Sequence, residues 1–374
     1  MLYNETGVNV RTCIDTIIML FEEGIMSLPV MDLDYLTTTL VDLLHIPSPT
    51  GFTHRAVAYV EAALGKLGLP FEHTRKGALI AHIASPTARP PRAITGHVDT
   101  LGAMVKAIKP NGRLRLTRIG GFAWNTVEGE GCRVFTRSGR EITGSILVTK
   151  ASSHVYGQEV GALRREPATM EVRLDERVTS AADVRALGVE VGDFVAFDPR
   201  VVITPSGFIR SRHLDDKGGV AAMLTAAKAL VDAGQQPPWP ILLHFSNYEE
   251  VGHGAASDLP ADLAELVAVD MATVGDGQAS DEFHVTICAK DSGGPYHHGL
   301  TSRLRELADA HQIPYKVDVY PYYSSDSEAY WRAGGAAAIA LIGPGLDASH
   351  NYERTHMEAL SATAQLILAY MLHG

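Results

Sequence analysis

Seven acidic and histidine side chains stand where metal-assisted hydrolysis would need them. His97 and Asp99 lie two apart in "ITGHVDT", at the end of an apolar run, so an extended chain turns both to one side. Glu249 and Glu250 follow "ILLHF", two like charges side by side with no neighbouring Lys or Arg to neutralise them. Asp270 closes "LVAVD", Asp215 stands in "RHLDDKGG" just ahead of a helical pattern, and His350 sits in "DASHNYERTH". Taken singly, each has an ordinary explanation: a solvated strand-end acid, a helix cap, a loop histidine. Jointly, two imidazoles and three carboxylates make an N/O donor set for divalent zinc, cobalt or manganese with no thiolate. If Asp215 bridges, each of two cations has three protein ligands. Two divalent ions against the three carboxylates Asp215, Glu250 and Asp270 then leave one positive charge, which favours ionisation of a bound water. One glutamate of the pair binds metal and its neighbour is left over for proton transfer.

These residues need a scaffold that gathers them. From about Leu33 the pattern is α/β: "LDYLTTTLVDLLHI" and "RAVAYVEAALGKLG" have helical period, while "ALIAHI" and "AITGHVD" suit buried strands. After residue 208 the alternation returns. "GGVAAMLTAAKALVDAG" puts Val220, Met223, Leu224, Ala227, Leu230 and Val231 on one stripe, with Gly234 as the stop. "ILLHF", "LVAVDM", "HVTICA", "YKVDVY" and "AAAIALI" read as strands, "LTSRLRELADAHQ" as a helix, and a last helix runs from about His356. The expected fold is a mainly parallel sheet flanked by helices. Four of the candidate positions follow a strand's carboxyl end, where open α/β sheets place ligands. Between 102 and 207 the texture changes to short β-rich segments such as "RLRLTRI", "REITGSILVT" and "VGDFVAFD". This predicts a small all-β, barrel-like insert. The expected organisation is an extension over 1–31, a discontinuous α/β domain over 32–101 and 208–374, and the insert over 102–207.

Bulk properties bound the function. The chain has 374 residues, 46% hydrophobic and 20% charged, which is ordinary for a globular protein, and a net charge of −11 that disfavours nucleic acid or an anionic membrane as partner. Residues 1–31 hold no apolar run of the ~20 residues a membrane span needs and no secretory cleavage pattern. Cys13, Cys132 and Cys288 are scattered, as reduced thiols of a cytoplasmic protein would be, and none adjoins a candidate site residue, which excludes a cysteine nucleophile. A catalytically dead binding protein would be signalled by a missing ligand, and all five are present. His297 and His298 in "GGPYHHGL" have no matching carboxylates and are expected to be structural or to line a pocket.

In their order, "GHVDT", "LDDKGG", "YEEVG", "AVD" and "SHNYERTH" resemble the dinuclear aminopeptidases of metallopeptidase family forty-two, the tetrahedral, glutamyl and deblocking group. The resemblance extends from about residue 33 to the end, and the β-rich insert between His97 and Asp215 is that family's arrangement. It implies two divalent metal ions per subunit, zinc foremost. His97 and Asp270 would hold one, Glu250 and His350 the other, with Asp215 between them. Glu249 would be the general base and later the acid, and Asp99 would orient His97. It further implies a cis Asp215–Asp216 bond, short peptide substrates, and a homo-oligomer from dimer to dodecamer built through the insert. An alternative within the same chemistry is a deacylase or dipeptidase acting on acylated or modified small peptides. The chain departs from the family's HSPxE ending with "HNYERTH", so His356 competes with His350, and Phe52, Thr53 and His54 replace the usual Gly-Glu step after Gly51. The tyrosine-rich "VYPYYSSDSEAYW" is a further candidate for the pocket wall.

Overall fold

A computed structural model describes residues 27–374. Cys13 and most of the expected extension lie outside the described residues.

The centre is a nine-stranded mixed sheet. Its successive strands are Phe71–His73, Leu79–Ile83, Ile241–Ser246, Arg92–His97, Glu265–Val269, Ala338–Leu346, Val285–Lys290 and Tyr315–Val319, with Ala272–Thr273 beside the end of Ala338–Leu346. The four middle strands, from Ile241–Ser246 to Ala338–Leu346, are mutually parallel. Antiparallel pairings enter outside this block, where Leu79–Ile83 joins Ile241–Ser246 and Val285–Lys290 joins Ala338–Leu346. Arg92–His97 and Ile241–Ser246 are buried along their whole length, and Glu265–Val269 and Ala338–Leu346 beyond their first residue, which explains why they read as unbroken apolar runs rather than as alternations.

One face of the sheet is covered by the helices His54–Lys66, Leu214–Asp232, His298–Ala310 and Met357–Leu372, which share a core with Ile94, Leu243, Val267 and Ile342. The expected one-sided stripe on Leu214–Asp232 is only part of the outcome. Every residue from Leu214 to Ala227 is buried, because Leu33–His45 packs on its outer side through Leu36, Leu40 and Leu44, while Val231 is exposed at the free end. The other face is covered by the short helix Asp326–Arg332 and the aromatic side chains Tyr296, Tyr320 and Tyr330.

Gly102–Ile108, Leu114–Ile119, Met170–Leu174, Glu141–Val148, Gly131–Phe135 and Phe194–Phe197 close into a six-stranded antiparallel barrel. Alternate residues of Glu141–Val148 point inward, and the interior is filled by Val105, Leu116, Val134, Ile146, Val172 and Val195. The chain leaves the sheet at His97 and returns through a three-stranded sheet of Val202–Ile203, Phe208–Ser211 and Glu353–His356. That small sheet joins the exit of the barrel to the segment that follows His350. Among the described residues, no helix is long and apolar enough to cross a membrane.

Candidate metal centre

Strand register does most of the assembly. Ile241–Ser246 and Glu265–Val269 flank Arg92–His97 on its two sides, with Ser246 opposite His97 and Ala268 opposite Thr95. The residues that follow these carboxyl ends therefore share one edge, and His97, Glu249, Glu250 and Asp270 meet there. Asp270 is drawn in by its N–H bond to Ile342 O (3.0 Å), and the backbone passes so close to Gly343 that a Cβ there would lie 1.5 Å from Asp270 O. Only glycine fits that crossing. Asp215 arrives at the start of Leu214–Asp232, where its peptide bond to Asp216 is cis. His213, Tyr248 and His350 all have left-handed backbone, with φ of 70°, 63° and 62°. Such conformations are costly for non-glycine residues and concentrate at functional sites.

The carboxylate of Asp215 is the centre of the arrangement. Its Oδ1 is 3.1 Å from His97 Nε2 and its Oδ2 is 3.4 Å from His350 Nε2. Around His97 Nε2 stand Glu249 Oε2 at 3.7 Å and Asp270 Oδ1 at 3.9 Å, and around His350 Nε2 stands Glu250 Oε2 at 3.7 Å. Two groups able to hold a cation result: His97 with Glu249 and Asp270, and Asp215 with Glu250 and His350. Each imidazole is oriented by its other nitrogen. His97 Nδ1 donates to Asp99 O at 2.9 Å and His350 Nδ1 donates to Gly121 O at 2.5 Å, since a carbonyl can only accept. In a neutral imidazole both Nε2 lone pairs then face carboxylate oxygens. Lone pairs turned on lone pairs require a proton or a cation between them, and this donor set fits divalent metal.

Protonation tells the same story. Burial and the neighbouring acids Asp270 and Glu250 push Glu249 well above the usual carboxylate range. Burial also pushes Glu250 up to about 8 and Asp270 up to about 7. Asp215 is held below the usual range against its burial by hydrogen bonds from His350 and His97. Burial lowers His97 and His350, but the Asp215 carboxylate outweighs it, leaving His97 well above the ordinary histidine value and His350 up at about 10. Clustered buried carboxylates and imidazoles favour positive charge among them, whether proton or cation.

Asp99 stands beside His97 through both its main chain and its carboxylate. His97 is oriented by the main-chain carbonyl of Asp99, its carboxylate lying 3.6 Å from Nδ1. The carboxylate accepts instead from Thr50 Oγ1 (2.6 Å) and from the N–H groups of Glu249 (3.2 Å) and Glu250 (3.4 Å), so it fixes the Glu-Glu turn. His356 lies away from the centre. It caps the last helix through Glu358 N, donates from Nε2 to Ser206 O at 2.7 Å, and packs against Phe208 and Phe283. His297 caps His298–Ala310 by accepting from Leu300 N, and His298 is exposed.

Three buried supports escaped the sequence reading. Glu353 accepts from His350 N at 3.0 Å and from Asp215 N at 3.2 Å. Ser325 Oγ donates to Asp270 Oδ2 at 2.5 Å, and Asp216 Oδ2 accepts from His97 N at 3.2 Å. Glu353 and Asp216 stand inside quoted segments, but only three-dimensional placement separates them from ordinary polar residues.

A family model described as M42 glutamyl aminopeptidase matches residues 77–366. The chain belongs to that family. This M42 aminopeptidase is 47% identical over 330 residues to "Putative aminopeptidase YhfE" of Bacillus subtilis (strain 168), covering 88% of this chain and 95% of the relative. It is 26% identical over 310 residues to the glutamyl aminopeptidase of Lactococcus lactis subsp. cremoris (strain MG1363), covering 80% and 85%. The structure of the TET1 peptidase of Pyrococcus horikoshii shares the fold, with a TM-score of 0.80 at 20% identity over 91% of this chain and 100% of the other. The M42 chain is thus a hydrolase of peptide bonds, a metal-dependent aminopeptidase.

Proposed function

We propose that this aminopeptidase removes N-terminal residues from short peptides with two divalent cations bound between His97, Asp215, Glu250, Asp270 and His350. His97 and Asp270 would hold one ion, Glu250 and His350 the other, and Asp215 would lie between them. Zinc suits the mixed imidazole and carboxylate donors best, with cobalt and manganese as substitutes. The observation that carries the reading is the placement of the two Asp215 oxygens, one facing each imidazole. Three ligands per ion are then complete without Glu249.

Bound there, the cations would acidify a water and polarise the scissile carbonyl. Glu249, kept at the edge of the centre by its N–H bond to Asp99, takes the proton of the attacking water. It returns that proton to the leaving amine as the C–N bond breaks. Burial pushes the Glu249 carboxyl up, and positive charge beside it would favour the carboxylate that a base needs. Asp99 acts on both glutamates through their backbone. We place the enzyme in the cytoplasm on the strength of the free, buried thiols of Cys132 and Cys288. We assign the barrel a role in homo-oligomer contacts, from dimer to dodecamer. The relative with this fold from Pyrococcus horikoshii is described as assembling into a tetrahedron or a large octahedral shell.

The test is Glu249→Gln, assayed on free and N-acylated short peptides by mass spectrometry with metal content measured in parallel. Turnover should drop roughly 10²–10⁴-fold, the usual worth of a positioned acid–base group, with metal retained. Near-normal turnover would remove Glu249 from this role. Cleavage by the wild type confined to acylated substrates would move the activity to a deacylase.

A further inference from the structure

The aromatic segment at residues 320–323 contributes a group that the proposed roles leave unused. The ring of Tyr323 is half-buried, and its hydroxyl is buried with no hydrogen-bond partner among the described residues. A stranded buried hydroxyl is costly, and such exceptions in folded proteins call for a reason.

The surroundings supply one. The carbonyl of Tyr323 accepts from Ser292 N at 3.0 Å and from Ser292 Oγ, and its ring packs on Tyr320 with centroids 5.3 Å apart. Two residues on, Ser325 Oγ is bonded to Asp270 Oδ2 at 2.5 Å, and the next residue, Asp326, accepts from Thr95 Oγ1 at 3.1 Å in the middle of the sheet. The segment is therefore pinned on both sides of Tyr323, against the wall of the metal centre. The Ser325–Asp270 bond is what sets this segment beside the metal centre, and burial, reinforced by the charges of Asp270, Asp215 and Glu249, raises the phenol well above the ordinary tyrosine value. Yet none of those carboxylates accepts its hydrogen. A rigidly held donor beside the reacting groups, turned to none of the oxygens already present, is suited to an oxygen that arrives with the substrate.

We propose that the Tyr323 hydroxyl donates a hydrogen bond to the scissile carbonyl oxygen of the peptide as that oxygen gains negative charge. The proposal builds on the aminopeptidase reading and adds a second stabilising group on this chain. No proton is transferred: the O–H bond of Tyr323 stays intact while water adds to the carbonyl carbon, and the hydrogen bond strengthens as charge develops. The adjacent Tyr322 is 96% exposed and serves as an internal control.

The experiment compares the wild type, Tyr323→Phe and Tyr322→Phe, each loaded with zinc. Metal content, kcat and KM on a short peptide, and calorimetric affinity for a phosphinic dipeptide isostere are measured for all three. The isostere carries the tetrahedral, charged oxygen that a ground-state peptide lacks. Tyr323→Phe should keep its metal and its KM within about threefold and lose on the order of 10²-fold in kcat, as removal of one such donor does. It should lose isostere affinity by a comparable factor, and Tyr322→Phe should match the wild type. The assignment is overturned if Tyr323→Phe keeps kcat and isostere affinity, if KM alone rises, or if metal is lost in step with activity. A wild type that binds metal but cleaves no peptide would defeat the aminopeptidase reading instead, and equal isostere affinity of wild type and Tyr323→Phe would still decide against the tyrosine.

Discussion

Glu353 offers a sharp test of how the centre is supported, because it touches the chain of two metal-binding candidates and neither of their side chains. It is 2% exposed, with Oε1 accepting from His350 N at 3.0 Å and Oε2 accepting from Asp215 N at 3.2 Å. Glu353→Gln keeps the size but leaves only one acceptor oxygen. The amide NH2 must then face one of the two backbone N–H groups, donor against donor. A buried N–H without an acceptor costs roughly 1–3 kcal/mol, and every 1.4 kcal/mol is about tenfold in an equilibrium constant. Strain relieved by moving either His350 or Asp215 is paid in metal affinity, so the dissociation constant for zinc should rise roughly 10–100-fold, the range seen when supports of metal ligands are removed. Competition against a chromophoric chelator measures it, with thermal melting of the metal-free protein run beside it. Glu282→Gln is the control, since Glu282 pairs with the neighbouring Arg354 at 2.7 and 2.8 Å and touches no site residue. Zinc affinity of Glu353→Gln within threefold of the wild type would refute the argument.

Asp215→Asn should fall below one bound ion per subunit by elemental analysis, since an amide offers one weak oxygen where the carboxylate faces both imidazoles; full occupancy would show that Asp215 does not lie between the ions. Chelated protein should lose stability as pH rises from about 5 to 8. Asp270 and Glu250 are pushed up to about 7 and about 8 by burial, so the folded state holds protons that the unfolded chain has released above its ordinary carboxylate values. His350, raised to about 10 despite its burial, acts in the same direction, while the lowered Asp215 matters only below that window. One net proton gives a slope of about 1.4 kcal/mol per pH unit, and a melting temperature that stays level or rises across the range in chelator would contradict it. Arg212→Met should destabilise the fold by roughly 1–3 kcal/mol in chemical denaturation, because the buried Glu130 then keeps only Arg200 as an ion-pair partner. Arg212 also bonds Asn351 O at 3.2 Å and Thr126 O, tying the barrel to the loop of His350; a loss under 1 kcal/mol would exclude that role.

What the sequence determined by itself was the chemistry and its order along the chain. A buried parallel strand has to be apolar on both faces, so "AITGH", "ILLHF" and "LVAV" were recognisable, and the polar residues just beyond them were therefore marked as strand-end groups. The donor types of His97, Asp215, Glu250, Asp270 and His350 carried the metal reading, because imidazole and carboxylate keep their ligand character wherever they are placed. Period and turn chemistry likewise separated the α/β part from the barrel, in which the alternating strand Glu141–Val148 turns one side to the barrel's core.

Tertiary structure decided which of these groups meet, and through which atoms. Residues 118 positions apart, His97 and Asp215, come within 3.1 Å only because Leu214–Asp232 packs on the strand that ends at His97. Asp99 serves both neighbours: its carbonyl accepts from the ring of His97, while its carboxylate takes the N–H groups of Glu249 and Glu250 because the backbone of those residues passes beside it. Strand pairing separates His356 from His350: Glu353–His356 lies against Phe208–Ser211, which carries His356 away to Ser206 and the last helix. Glu353 and Tyr323 have no local signature, since a glutamate at the start of a short strand and a tyrosine in an aromatic run resemble many others. Their significance comes from burial and from which donors and acceptors surround them, and those are properties of the folded chain alone.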